Sequence, residues 1–118
     1  MRIDVSLMLT AADDAAPYEA CGVVLGDGTV VSIKNLATRP GIFIMDTEEL
    51  IAVYDMYGDI YGVWHSHPSG NPLPSEEDIE AHPEGKVMFI VCDGKVVNYG
   101  RVDGSHTVAG ISESAVHV

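Results

Sequence analysis

Residues 65–78 read HSHPSGNPLPSEED and hold the side chains best suited to chemistry. His65 and His67 are two apart at the end of an apolar run, IYGVWHSHP. In an extended strand, side chains two apart point to the same face, so both imidazoles converge on one side of the backbone. Paired imidazoles suit a transition metal. After seven intervening residues comes Ser75, and three after it Asp78, at the start of a short segment with helical character. A carboxylate carried there and returned to the strand end by a Gly/Pro-rich loop completes a set of two nitrogens and one oxygen. Such a set leaves one corner of a tetrahedral zinc open for water, which marks a catalytic site rather than a closed structural one. The same donors also describe the facial triad of iron oxygenases, where the ligands are octahedrally disposed. Ser75 and Asp78 have a second reading as a Ser-x-x-Asp capping box, and the two are compatible because a capping serine can also face the site.

Taken together, His-x-His followed by seven residues and Ser-x-x-Asp arises by chance on the order of once per million starting positions. The whole pattern resembles the JAMM/MPN+ zinc metallopeptidases, whose signature is His-x-His-Pro, six residues, then Ser-x-x-Asp. His65, His67, Pro68, Ser75 and Asp78 match every fixed position. Gly62-Val63-Trp64 matches the family's Gly-Trp/Tyr run before the histidines, and Glu19-Ala20-Cys21-Gly22 onward resembles its Glu-x-Cys-Gly-hydrophobic strand. The likeness runs from about Tyr18 to Val102. It implies His65, His67 and Asp78 as ligands of one Zn²⁺ with a bound water as fourth ligand, Glu19 as the catalytic glutamate and Ser75 as the oxyanion donor. It also implies hydrolysis of amide or isopeptide bonds, often after the C-terminus of a ubiquitin-like or sulfur-carrier protein laid as an added strand beside the metal. The insertions that shape ubiquitin recognition in eukaryotic members are missing, as in the compact bacterial and phage branches. A phage tail-assembly peptidase and a non-catalytic protein-interaction module are the alternatives.

Other candidates read as structural. His82 sits beside Pro83 at a helix end, His106 and His117 lie in the polar C-terminal stretch, and Tyr61 and Trp64 read as core or groove wall. Cys21, followed by Gly-Val-Val-Leu, reads as strand interior rather than nucleophile.

The elements that position these residues follow from turn chemistry and periodicity. Residues 21–34 are β-branched runs around Gly26-Asp27-Gly28, and 87–102 turn at Asp93-Gly94, so two hairpins are expected. Asp103-Gly104 introduces a third, weaker strand. Ile60–Pro68 reads as a buried strand. Asp46–Tyr57 has Leu50, Tyr54 and Tyr57 at helical spacing, with Asp46 as cap, Glu49 reaching back to close a box, and Gly58 as stop. Ser75–Ala81, between Pro74 and Pro83, makes about two helical turns. Residues 4–16 read as a strand followed by a short helical turn.

The expected fold is a single α/β domain over 1–118 with a mixed sheet of about six strands and two or three helices, its motif-bearing core at 18–102 and a tail at 103–118. This architecture resembles the JAMM fold, itself related to the cytidine-deaminase-like architecture. A chain of 118 residues with 47% hydrophobic residues supports one core. Six basic against 18 acidic side chains give a net charge of −12. Without clustered Lys and Arg, nucleic acid and anionic membranes are excluded as principal partners. No apolar run reaches the roughly 20 residues of a membrane span. The start is a poor signal peptide, and two cysteines within apolar runs fit buried free thiols, so a cytoplasmic protein is expected. The partner is expected to be a protein or peptide; the oligomeric state is left open.

Overall fold

The structure, a computed structural model, describes residues 1–102 and 112–113. The chain runs α1 (Val5–Ala15), β1 (Cys21–Leu25), β2 (Val30–Ile33), α2 (Thr47–Tyr57), β3 (Ile60–Ser66), α3 (Glu76–Ala81), β4 (Lys86–Cys92), β5 (Lys95–Val102) and β6 (Ser112–Glu113). The strands form one mixed sheet in the order β2-β1-β3-β4-β5-β6, with only β3 and β4 parallel. The expected architecture of six strands with three helices is therefore present.

Side-chain alternation along the central strands divides the core between two faces. Val24, Trp64, Phe89 and Val91 face one side, where Met8 of α1 packs against them. Val23, Val63 and Ile60 face the other, under Val53 of α2, and beside them Met88 and Ile90 sit under Ile79 of α3. Trp64 is wholly buried, so of its two readings the core one holds. Its indole N–H donates to the Val31 carbonyl at 3.2 Å across Gly22. A β-carbon at Gly22 would stand 2.0 Å from that carbonyl oxygen and 2.5 Å from the indole nitrogen, so only glycine fits. Half-buried Tyr61 packs on Phe89, and the Arg101 guanidinium lies over the Tyr61 ring, 5.9 Å from its centre.

Both hairpins are present, and Asp93 and Gly94 take φ of 52° and 74°, the left-handed pair that a two-residue turn demands. The Asp103-Gly104 turn lies outside the described residues, as do His106 and His117; β6 pairs with Val97 and Asn98. The opening segment differs from expectation, because residues 5–15 are one helix and no strand precedes it. Ile3-Asp4-Val5-Ser6-Leu7 mimics strand alternation, yet the Asp4 carboxylate accepts from Ser6 N and caps a helix whose inner face is Val5, Met8, Ala12 and Ala15. Those alanines contribute little hydrophobic signal but let the helix lie close to the sheet. In α2, Asp46 caps as expected, accepting from Glu48 N and Glu49 N, and Gly58 N–H closes the helix on Tyr54 O. The box does not close: the Glu49 carboxylate accepts instead from Lys34 N at 3.0 Å, tying α2 to the end of β2. The inward face is Val53 with Leu50, while Tyr54 and Tyr57 remain largely exposed.

Candidate metal centre

His65 follows Val63 at a spacing of two, so β3 directs it to the α2/α3 face of the sheet, and His67 continues that register just beyond the strand end. Both are buried. From there Pro68–Pro74 reverses the chain, and the Tyr99 hydroxyl, donating to Pro72 O, fastens this loop to β5. Ser75 caps α3: its hydroxyl oxygen accepts from Asp78 N at 3.0 Å, and Asp78 Oδ2 accepts from Ser75 N at 2.9 Å. The capping box expected of this pair is thus formed, and it fixes the rotamer of Asp78. That rotamer points the same oxygen at the histidines.

Asp78 Oδ2 lies 3.1 Å from His65 Nε2 and 2.9 Å from His67 Nε2, and the two Nε2 atoms are 3.2 Å apart. A tetrahedral ion with bonds of about 2.0–2.1 Å has donor atoms roughly 3.3 Å from one another, so this near-equilateral triangle matches one face of such a site. His67 Nδ1–H donates to Asn71 O at 2.8 Å, which fixes its tautomer with Nε2 bare for a metal. Glu19, two residues before β1, joins the group: Glu19, His65, His67 and Asp78 each offer an atom within 4.8 Å of the others. Glu19 is 4% exposed, and its Oε1 has no hydrogen-bond partner. A buried carboxylate oxygen left unpaired beside two imidazoles and a second carboxylate is the donor set of a hydrated cation site.

Electrostatics follow from the same contacts. Burial pushes the Glu19 carboxyl up to about 7, against the pull of His67 and with repulsion from Asp78. Burial also opposes charge on Asp78, but hydrogen bonds from His65 and His67 overcome it and hold that carboxyl well below the usual carboxylate range. His65, the more deeply buried imidazole, is pushed down by burial. On His67 burial is outweighed by its bonds to Asp78 and the Asn71 carbonyl, so its affinity for a proton rises. Without a metal, the cluster thus favours charge on His67 and on Asp78 and disfavours it on His65.

Of the five candidate site residues, Glu19, His65, His67 and Asp78 meet in one place, and Ser75 adjoins them through its capping box with Asp78. The Ser75 side chain is observed as a cap, its oxygen accepting from Asp78 N. Three contributions escaped sequence reasoning. The Phe43 ring stacks on His65 with centroids 4.6 Å apart at 26°. Asn71 lends a carbonyl to His67. The Ser66 hydroxyl accepts from Ala20 N at 2.8 Å and Ser66 N donates to Ala20 O, holding the chain next to Glu19. None has a local signature, since each acts through space. Elsewhere, His82 bonds Lys86 O and serves the turn between α3 and β4. Cys21 and Cys92 are free and buried; the Cys21 thiol, pushed up to about 12 by burial, is not a nucleophile at neutral pH. Beside Glu19, a cleft of about 660 Å³ runs along β2, the outermost strand, past Ser32, Lys34 and Asn35.

The model of a family described as prokaryotic homologs of the JAB domain matches residues 4–103. A desampylase of Haloferax volcanii is 31% identical over an alignment of 107 residues, covering 77% of this chain and 77% of that protein. A desampylase of Pyrococcus furiosus is 27% identical over 89 residues, 69% of this chain and 64% of its own length. Among solved structures, a Desulfitobacterium hafniense protein determined in solution is 29% identical with a TM-score of 0.65, covering 96% of this chain and 86% of that one. A JAMM structure described as a metalloprotease-like zinc site in the proteasome and signalosome has a TM-score of 0.55 at 21% identity, covering 100% and 98%, a likeness of fold.

Proposed function

This chain belongs to the prokaryotic JAB-domain family, and on that premise we propose that it is a JAMM-type zinc metallopeptidase that hydrolyses amide or isopeptide bonds after the C-terminal tail of a ubiquitin-like or sulfur-carrier protein. One observation carries the reading: two imidazole nitrogens and one aspartate oxygen form a triangle of 2.9–3.2 Å edges with a buried, unpaired glutamate beside it. His65, His67 and Asp78 would hold the ion. Bound there, Zn²⁺ supplies Lewis acidity that eases the deprotonation of water and polarises a carbonyl.

The chain's own residues do the rest. Glu19, whose carboxyl sits near neutrality, takes a proton from the attacking water on its Oε atoms and delivers it to the leaving amine nitrogen as the C–N bond breaks. The Ser75 O–H donates to the carbonyl oxygen as it gains charge. Asn71 and the capping box hold His67 and Asp78 still throughout. An extended tail fits the cleft along β2, where main-chain hydrogen bonds to an outer strand give affinity without large side chains. The desampylases among its relatives support a protein conjugate as substrate. Among the described residues no helix is long and apolar enough to cross a membrane, and the two free thiols fit the reducing cytoplasm.

The test is to incubate the zinc-loaded chain, with and without chelator, with fusions that follow the Gly-Gly tails of ubiquitin-like proteins from the same genome. Cleavage after the second glycine that chelator abolishes is expected. Iron with bleachable colour after aerobic purification, or no cleavage of any fusion, would overturn the reading.

A further inference from the structure

We propose that Asn35 is a positioning residue that locks Glu19 to the loop carrying Phe43, so that one side-chain amide sets both the proton-transfer carboxylate and the ring against His65. The inference rests on the hydrolase reading above for its kinetic consequence, and on geometry for the linkage itself.

Glu19 precedes β1 by two residues, and the β1–β2 ladder ends at the Cys21–Ile33 pair, so no strand partner holds the Glu19 carbonyl. The Asn35 Nδ2–H donates to it at 2.8 Å. On its other side, Asn35 Oδ1 accepts from Ala37 N and from Ile44 N, both at 2.9 Å. These two amides stand at the neck of the loop 36–45, which Leu36 N to Ile44 O at 2.7 Å and the Asn35–Met45 bridge also close. Phe43, one residue from Ile44, stacks on His65. Asn35 therefore uses donor and acceptor ends at once, and neither an acid nor an amine can do both. From the opposite side, Ser66 pins Ala20, so residues 19–20 are clamped between β3 and Asn35. A buried carboxylate with an unpaired oxygen has no bond of its own on that atom to fix its direction; the clamp on its backbone supplies that constraint.

Asn35→Asp keeps the acceptor and removes the donor; Asn35→Ala removes both. In the zinc-free chain, amide exchange at Ala37 and Ile44 is expected to stay slow in Asn35→Asp and to accelerate in Asn35→Ala. The ¹³C carboxyl resonance of Glu19, identified by its loss in Glu19→Gln, is expected to move in both variants at fixed pH. In the zinc-loaded enzyme, Asn35→Asp is expected to retain one zinc and its KM while kcat falls about ten- to a hundred-fold, the scale of a misplaced reacting group. In a Glu19→Gln background the same substitution is expected to cost nothing further. Should Asn35→Ala fail to fold, Asn35→Asp carries each readout. A further loss in the Glu19→Gln background, loss of zinc, or an unmoved Glu19 resonance in Asn35→Asp would overturn the proposal. If the wild-type enzyme cleaves none of the fusions, the hydrolase reading falls by itself, while the exchange and resonance data still decide whether Asn35 holds Glu19.

Discussion

Glu19 and Asp78 are carboxylates within 4.8 Å of the same imidazoles, yet their surroundings drive them in opposite directions. Asp78 receives hydrogen bonds from both histidines and from Ser75 N and stays ionised; Glu19 is buried with an oxygen unpaired and holds its proton to about pH 7. Such a division supports the proposed roles of Asp78 as ligand and Glu19 as proton carrier. Replacing Glu19 by Gln is therefore expected to leave zinc bound at one per chain and to lower kcat by about 10²–10⁴-fold, the usual worth of a general base. His67→Ala and Asp78→Ala are expected to lose both metal and turnover; zinc analysis beside a cleavage assay separates the classes, and full activity in Glu19→Gln would refute the assignment. The zinc-free chain offers a second check. Because the folded pKa of Glu19 lies above the ordinary value of about 4.3, burial of the protonated form is favourable below that pH, and the advantage is lost as pH rises through 7. In chelator, Glu19→Gln should match wild type in urea unfolding at pH 4 and exceed it at pH 8 by up to about 3 kcal/mol. Equal stability at both would mean Glu19 is solvated.

At the scale of elements, α3 joins structure to chemistry, since one capping box both starts the helix and aims Asp78. Ser75→Ala is expected to cost about 1 kcal/mol through the cap and about a hundred-fold in kcat through the lost donor. Ser75→Asp, a competent cap without an O–H at neutral pH, should keep the melting temperature and still lose the turnover; full turnover in Ser75→Asp would leave the serine with capping alone. On β1, Gly22→Ala forces the Trp64 indole or Val31 aside and is expected to destabilise by about 1–3 kcal/mol in urea unfolding. Elements whose signals are local were legible: Asp93-Gly94 names its own turn, and Pro74 and Pro83 bracket α3. The opening helix was misread because half of its inner face is alanine, and alanine reports neither period strongly. The Glu49 carboxylate was assigned to its own helix because sequence shows the cap three residues back and not Lys34, fifteen residues away. His65, His67 and Asp78 were readable from spacing and Glu19 only through family likeness, while Phe43, Asn71 and Asn35 depend on how a loop returns to the sheet.

For the whole molecule, the metal site is a junction of parts that the core holds unequally. His65 and His67 extend from a central strand buried on both faces, and Glu19 is clamped by Ser66 and Asn35. Asp78 stands on a helix of six residues with none fully buried, where Ile79 alone packs on the sheet among the hydrophobic clusters described. Two carboxylates share this site in a chain that already carries a net charge of −12, so a dication relieves repulsion while binding the least anchored helix to the most anchored strand. Zinc at a thousand times its dissociation constant contributes about 4 kcal/mol by mass action. Chelation is accordingly expected to lower the melting temperature by roughly 15 °C, at about 4 °C per kcal/mol for a domain of this size. The loss should not be uniform. Amides of Ile79–His82 are expected to exchange faster in chelator at temperatures where those of Trp64, His65 and Ile90 remain protected, because α3 opens without the sheet once its tie to β3 is cut. If exchange instead accelerates equally across α3 and the central strands, the helix is held by packing rather than by the metal, and the coupling of site to fold argued from its burial is wrong.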